Sequence, residues 1–451
     1  MFRKIQVTVT LLFICSFSLR AQTENAYQEM ITLITEAYNA QDYKKISDQF
    51  APTMLQAVSE ADFADFLGSV QAQLGNIKAT EQVRKKGSMQ IYNVTFEQGS
   101  LWELWFSLDK DNKITGFQII PAGTASKQIN VLEFITKNPE RAAIKLTING
   151  KIVLEQNATR KMPLASTVKI IVLIEYAQQV ASEKIKAQEQ IPLADLEVYH
   201  IPNTDGGAHA DWKKSIEREQ KIVNQSVSLE EVAKGMIAFS SNANTEYLIE
   251  RLGLENINQN INKLGLKNHD PLYFLVSSLF VYQNEKNKSQ EAHLEEIRKM
   301  SKTEIAERAS RIHQLLKKDS PQAFRQPESL KHLTMEVQKV WSDNLTASTV
   351  EDYASLMEKI NSRTYFPTLV QANIETVLGN SAMKSPRIQE MMQYCGYKGG
   401  STAFVLTMAM YGTSKENKQI AFAYFLNNLT PEEQQQLQSN VGNFNLELLR
   451  K

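Results

Sequence analysis

Cysteine is nearly absent from this chain, with only Cys15 and Cys395 among 451 residues. A disulfide scaffold is therefore excluded, and stability has to come from hydrophobic cores. An excess of one charge is missing as well, since 50 Lys and Arg stand against 50 Asp and Glu without a long run of either. That balance leaves no electrostatic footprint for nucleic acid or an acidic membrane, so neither is expected as a partner. Beyond the first residues no stretch approaches the roughly 18 uninterrupted apolar residues of a spanning helix, so no transmembrane span is expected in the mature chain. With 42% hydrophobic and 8% aromatic residues, the chain is long enough for two or three cores and reads as globular rather than disordered.

The opening residues differ from the rest. Arg3 and Lys4 precede an apolar stretch from Ile5 to Leu19, with the small residues Ser18 and Ala21 behind it. This pattern predicts a signal peptide over residues 1–21 and a periplasmic or secreted location. Lipid attachment at Cys15 is disfavoured because the bulky Ile14 precedes it. Cleavage after Ala21 leaves Cys395 as the one thiol, which cannot form an internal disulfide.

A first block runs over residues 24–120. Met30, Ile31, Leu33, Ile34 and Tyr38 share a helical face, and residues 62–74 repeat that pattern. The period then changes: Met89 to Phe96 and Leu101 to Phe106 alternate as strands do, and a turn over Asp109 to Lys113 leads into a third strand, Ile114 to Ile120. Helices followed by a curled antiparallel sheet resemble the nuclear-transport-factor-2-like cone. In an exported accessory copy that fold implies a docking surface for a partner of unknown identity more readily than a ligand cavity. The breaker-rich run Pro121 to Ser126 marks a linker.

The second block, residues 127–451, opens with an amphipathic helix around Val131 to Ile135. A hairpin follows, Ala143 to Ile148 and Ile152 to Leu154, around the strong turn signal Asn149-Gly150. A helix from about Ser166, apolar on nearly all sides, is expected to be buried. Residues 229–378 read as mainly helical. Within them the charged stretch Gln283 to Lys318 suggests a solvated, partly amphipathic insertion. Strands return at Met392 to Tyr397, Ala403 to Tyr411 and Gln419 to Asn427, and a helix from Pro431 with Thr430 as N-cap closes the chain.

Ser166-Thr-Val-Lys169 sets a hydroxyl and an amine three residues apart on one helical face. A lysine desolvated there can lose its charge and accept the proton of the serine, which is inert at its free pKa. The spacing alone is weak, because Ser107 with Lys110 and Ser381 with Lys384 also satisfy it. Only Ser166 follows a hairpin and opens a buried helix. Ser240-Ser-Asn242 then places a hydroxyl and an amide two apart at a turn, and Lys398-Gly-Gly400 lies at the end of a strand.

These three motifs in this order resemble the signature of the serine β-lactamases and penicillin-binding proteins, the class A branch in particular, over residues 128–451. The resemblance implies an α+β two-domain chain: the cone, then a β-lactamase-like fold of antiparallel sheet flanked by helices with an all-helical lobe. It implies that Ser166 forms an acyl-enzyme, Lys169 takes its proton, Ser240 relays a proton to the leaving group, and Asn242 holds Lys169 and the substrate amide. Lys398 would supply positive charge beside Ser240. Gly400, Ser401 and Thr402 would line the substrate, with the backbone N–H groups of Ser166 and Ser401 as oxyanion hole. The segment Tyr199 to Trp212, with two glycines and two histidines around Asp205, would line the rim of the site opposite Ser166, with His209 touching substrate; the alternative is a well-turned loop whose histidines cap backbone groups. A cone-like domain before the β-lactamase-like one resembles a subgroup that includes a β-lactamase-like protein of clavulanic acid biosynthesis.

Two departures matter. Gly399 stands where the family carries a hydroxyl for the substrate carboxylate, with Ser401 or Thr402 as the available substitutes. The family's Glu-x-x-Leu-Asn deacylation loop is also missing, Glu336 being a weak replacement. Two readings therefore stay open: an exported serine hydrolase acting on an ester or amide, β-lactams among the candidates, and a slow penicillin-binding or regulatory protein with a retained pocket. No cofactor and no metal are expected, since His200 and His209 lie nine apart without a metal-binding spacing.

Overall fold

The computed structural model describes residues 25–451 apart from 87–88, 98, 100, 122–128, 203, 285–287 and 319–322. The expected signal peptide and Cys15 lie outside the described residues, as does most of the linker. Contacts divide the chain into two compact units, Met1–Gln128 and Ile129–Lys451.

In the first unit, helices α1 (25–39), α2 (Tyr43–Ser47), α3 (Pro52–Ala57) and α4 (Glu60–Leu74) precede strands β1 (Ile77–Lys86), β2 (Met89–Phe96), β3 (Leu101–Leu108) and β4 (Ile114–Pro121). The strands form one antiparallel sheet in chain order. Tyr27, Ile31, Ile34 and Tyr38 recur at helical spacing and pack against Tyr92, Phe96 and Phe106 of the sheet. The Tyr92 and Phe106 rings stack 5.6 Å apart. Strand β1 carries no apolar alternation that sequence could register, because it is an edge strand with mostly exposed side chains. Its Arg84 reaches the buried Glu103 of β3 with two bonds of 2.8 and 2.9 Å.

In the second unit, α5 (Val131–Lys137), β5 (Ala142–Ile148) and β6 (Lys151–Gln156) come first. The helices α6 (Lys169–Ala181), α7 (Asn242–Leu252), α8 (Val350–Ser362) and α9 (Thr368–Ala382) belong to the largely helical middle. Strands β7 (Met392–Ser401), β8 (Leu406–Ser414) and β9 (Gln419–Leu426) and helix α10 (Pro431–Arg450) end the chain. One antiparallel sheet runs in the order β7-β8-β9-β5-β6, so the first and last strands of the unit pair, with Phe422 opposite Leu146. Positive φ at Asn149 and Gly150 closes the β5–β6 hairpin as the dipeptide predicts.

Alternation along β9 builds two cores. Ile420, Phe422, Tyr424 and Leu426 meet α5 and α10, while Ala421, Ala423 and Phe425 meet α6, α8 and α9. Thr430 caps α10 in a reciprocal capping box with Glu433. The stretch expected as a solvated insertion forms two amphipathic helices, Gln290–Arg298 and Lys302–Leu316. Their inner stripe, including Ile297, Ile305, Ala309 and His313, joins the core rather than floating in solvent. His313 bonds the fully buried Glu246 of α7 at 3.1 Å. Among the described residues no helix is long and apolar enough to cross a membrane.

Candidate active site

Ser166 does not open an α-helix directly. It lies in a 3-10 turn, Ala165–Val168, and α6 begins at Lys169. Ala165 is held at φ 45°, a conformation unfavourable for a side chain with a Cβ, immediately before Ser166. The turn is clamped onto β7 and β8. Thr407 Oγ1 donates to Leu164 O at 2.8 Å, and Thr167 and Thr407 share a hydroxyl bond of 2.8 Å. Gly400 makes the approach possible, since a Cβ there would lie 2.5 Å from the Ser166 nitrogen.

Lys169 follows one turn later and is fully buried. Its Nζ lies 2.6 Å from Ser240 O, 2.8 Å from Asn242 Oδ1 and 3.2 Å from Ser240 Oγ. Burial holds the amine well below lysine's ordinary range. The nearby Lys398 charge adds to this and Asp205 opposes it. A neutral amine has two N–H groups and one lone pair. In that form the two nearest oxygens, a carbonyl and an amide oxygen, can only accept and take both N–H groups, and the hydroxyl within hydrogen-bond reach of the lone pair in this structure is that of Ser240 rather than Ser166.

Ser240 adopts φ 69° after an irregular turn, Gly235–Phe239, and this left-handed step presents its hydroxyl to the cleft while Asn242 begins α7. Lys398, in β7, is 4% exposed and donates from Nζ to Ser240 Oγ at 3.0 Å and to Gly399 O at 2.7 Å. Burial lowers its pKa to about 7. Ser240 Oγ thus stands between two amines whose protonation is poised by burial.

Ser166, Ser240, Asn242, Lys398, Gly400, Ser401 and Thr402 all line one cavity of about 820 Å³, a volume suited to a small molecule. Lys169 closes it from behind through the bonds just given. Thr402 lines the cavity, and its Oγ1 accepts from Ser342 Oγ at 2.9 Å and from Phe404 N at 3.1 Å, which leaves its own proton to donate to a substrate carboxylate in place of the hydroxyl missing at Gly399. Ser401 is exposed on the cavity wall.

His209 does not reach the cleft. It is fully buried, with Nδ1 2.9 Å from Ser241 Oγ and Nε2 3.4 Å from Glu197, because its place at the start of the helix Ala208–Arg218 turns it behind the Ser240 loop. From the same segment Thr204, Asp205 and Gly206 face the cavity instead. Asp205, at the centre of the segment expected at the rim, is the one carboxylate among the described lining residues. Glu336 is exposed and lines a separate depression beside Lys339 and Phe404, so it is not positioned to serve Ser166. Trp341, Leu345 and Leu279 supply an apolar wall that no local motif announces. Ser107 belongs to β3 of the other unit and bonds Thr115.

Residues 124–389 match the model of the beta-lactamase enzyme family, a span that holds Ser166, Lys169, Ser240 and Asn242 and ends before Lys398. Residues 32–117 match a family of proteins of unknown function. No curated protein matches the chain. Among solved structures, similar ones include a beta-lactamase from Sphaerobacter thermophilus, 16% identical, covering 68% of this chain and 89% of that one, with a TM-score of 0.42. A class A beta-lactamase representative from Bacteroides cellulosilyticus is 14% identical, covering 70% and 94%, with a TM-score of 0.42. A beta-lactamase from Chitinophaga pinensis is 13% identical, covering 68% and 94%, with a TM-score of 0.41.

Proposed function

Since this chain belongs to the beta-lactamase enzyme family, we propose that it is an exported serine hydrolase that acylates Ser166 with an ester or amide, β-lactams among the candidate substrates. One observation carries the reading: the fully buried Lys169, its amine held well below lysine's ordinary range by desolvation, with Nζ bonded to Ser240 O and Asn242 Oδ1 and to no carboxylate. Its lone pair takes the Ser166 proton as Oγ attacks the substrate carbonyl. The negative charge on the carbonyl oxygen falls to the backbone N–H groups of Ser166 and Ser401. Collapse of the tetrahedral intermediate expels the leaving nitrogen or oxygen, which receives a proton through Ser240. Lys398, charged below about pH 7, attracts an anionic substrate.

A second reading, a slow penicillin-binding or regulatory protein, is favoured by Gly399, which has no hydroxyl for the substrate carboxylate. The N-terminal unit, a nuclear-transport-factor-2-like cone in this proposal, is then a docking module for a protein partner. Export by residues 1–21 to the periplasm or exterior rests on the sequence pattern. Steady-state assays with a p-nitrophenyl ester and a chromogenic cephalosporin test the hydrolase. Continuous release of nitrophenol or opened lactam supports it. A single turnover followed by arrest supports the second reading, and no reaction with either substrate rejects acyl transfer.

A further inference from the structure

Behind the Ser240 loop the fold gathers three metal-ligating side chains that sequence keeps apart. Donor atoms of Glu197, His200 and His209 lie within 4.8 Å of one another. Glu197 Oε2 is 3.4 Å from His200 Nδ1, Glu197 Oε1 is 3.4 Å from His209 Nε2, and the two imidazole centroids are 4.6 Å apart.

The hydrogen bonds around His209 decide which of its nitrogens carries the proton. Asn244 Nδ2 donates to Val232 O at 3.1 Å, which leaves Asn244 Oδ1 to accept the Ser241 hydroxyl at 3.1 Å. The single proton of Ser241 Oγ is thereby used, and that oxygen also accepts from the Asn244 N–H. Its 2.9 Å contact with His209 Nδ1 must then be a bond donated by Nδ1–H. In the neutral ring the lone pair consequently sits on Nε2, facing the Glu197 carboxylate. Two acceptors 3.4 Å apart require something positive between them.

We propose that Glu197, His200 Nδ1 and His209 Nε2 bind a first-row divalent metal ion, zinc being the type case. Zinc–nitrogen bonds of about 2.0–2.1 Å in tetrahedral geometry put ligand atoms about 3.4 Å apart, the separation of each imidazole nitrogen from its nearer Glu197 oxygen, Oε2 for His200 and Oε1 for His209, and all three donors fall within 4.8 Å before an ion draws them in. A metal-bound histidine that donates its other N–H to a fixed acceptor is the usual supporting arrangement, and Ser241 supplies that acceptor. His209 is buried while His200 and Glu197 are partly exposed, so the ion enters from the solvent side and keeps a fourth position for water. Lys213 Nζ, 2.5 Å from Glu197 Oε1 and 42% exposed, is the competing cation that swings outward when the ion binds. Because Ser241 lies between Ser240 and Asn242, the ion would brace that loop from behind. The proposal does not depend on acyl transfer.

Zinc titration of the metal-stripped full chain, followed by calorimetry and by metal content after dialysis, tests it. One zinc per chain is expected. His200→Ala and Glu197→Gln, both at partly exposed positions, should weaken binding at least tenfold, and Lys213→Ala should tighten it. Cobalt(II) in place of zinc should give the visible spectrum of a nitrogen and oxygen donor set. Absence of zinc in the wild-type chain would overturn the site. So would wild-type affinity in both ligand variants, or binding in Lys213→Ala that is no tighter than in the wild type.

Discussion

The two units of this chain bury different things. The N-terminal unit fills the space between helix and sheet with rings, among them Tyr27, Tyr38, Tyr92, Phe96 and Phe106, and its positive-φ residues, such as Gly75 and Asn112, sit between elements. The second unit buries two lysines, Lys169 and Lys398, whose bonds go to carbonyl, amide and hydroxyl oxygens rather than to carboxylates. It also places left-handed backbone at Ala165 and Ser240, on the cavity wall. Burying an amine without a counter-ion and straining a non-glycine residue both cost stability. Left-handed non-glycine residues occur elsewhere too, Gln41 and Asn112 in the first unit among them, but among the described residues the two buried amines bonded only to carbonyl, amide and hydroxyl oxygens meet at this one cleft, which supports it as the part of the molecule shaped for chemistry.

The comparison can be broken by mutation in either unit. Lys169→Met removes the proton acceptor and should slow acylation by about 10²- to 10⁴-fold, measured as the second-order rate with a fluorescent penicillin or a p-nitrophenyl ester. Phe106→Ala, in the ring-packed core, should instead cost about 3–5 kcal/mol, seen as faster hydrogen exchange in β2 and β3, with the acylation rate unchanged. An effect of Phe106→Ala on acylation would mean that the division of labour between the units is wrong.

Gly400→Ala drives a methyl group against the Ser166 nitrogen and should lower kcat about 100-fold by displacing the nucleophile, while KM moves little. The smallest effect is a pH dependence. Lys398 is charged below about pH 7 and loses its proton above it. The kcat/KM for an ester bearing a carboxylate should therefore fall as pH rises from 6 to 8, by up to about tenfold for the last unit. An uncharged ester should not follow that decline, and parallel profiles for the two would remove Lys398 from substrate attraction.

Much of this was readable from sequence where the signal is local. Ser166 and Lys169 are one turn apart, Asn149-Gly150 dictates its own hairpin, and Thr430 with Glu433 makes a capping box within four residues. Strand β1 escaped notice because an exposed edge strand rich in Lys, Glu and Arg has no apolar alternation. The insertion looked solvated because its charges outnumber the few inward residues, and only the fold reveals that His313 meets Glu246. The segment around Asp205 does reach the cleft, as expected, but His209 turns away from it for a similar reason. Which of two residues four apart faces a cleft depends on where the helix Ala208–Arg218 begins and how it packs, and neither is encoded by residue type alone.

Intact-mass spectrometry of the wild-type chain and of Ser166→Ala, each mixed with penicillin and with a p-nitrophenyl ester, probes the nucleophile most directly. The account predicts that the wild-type chain gains the mass of one acyl group, mapped by peptide digestion to Ser166, and that Ser166→Ala gains none. An adduct of equal yield in both proteins, or one mapped to another residue, would contradict it.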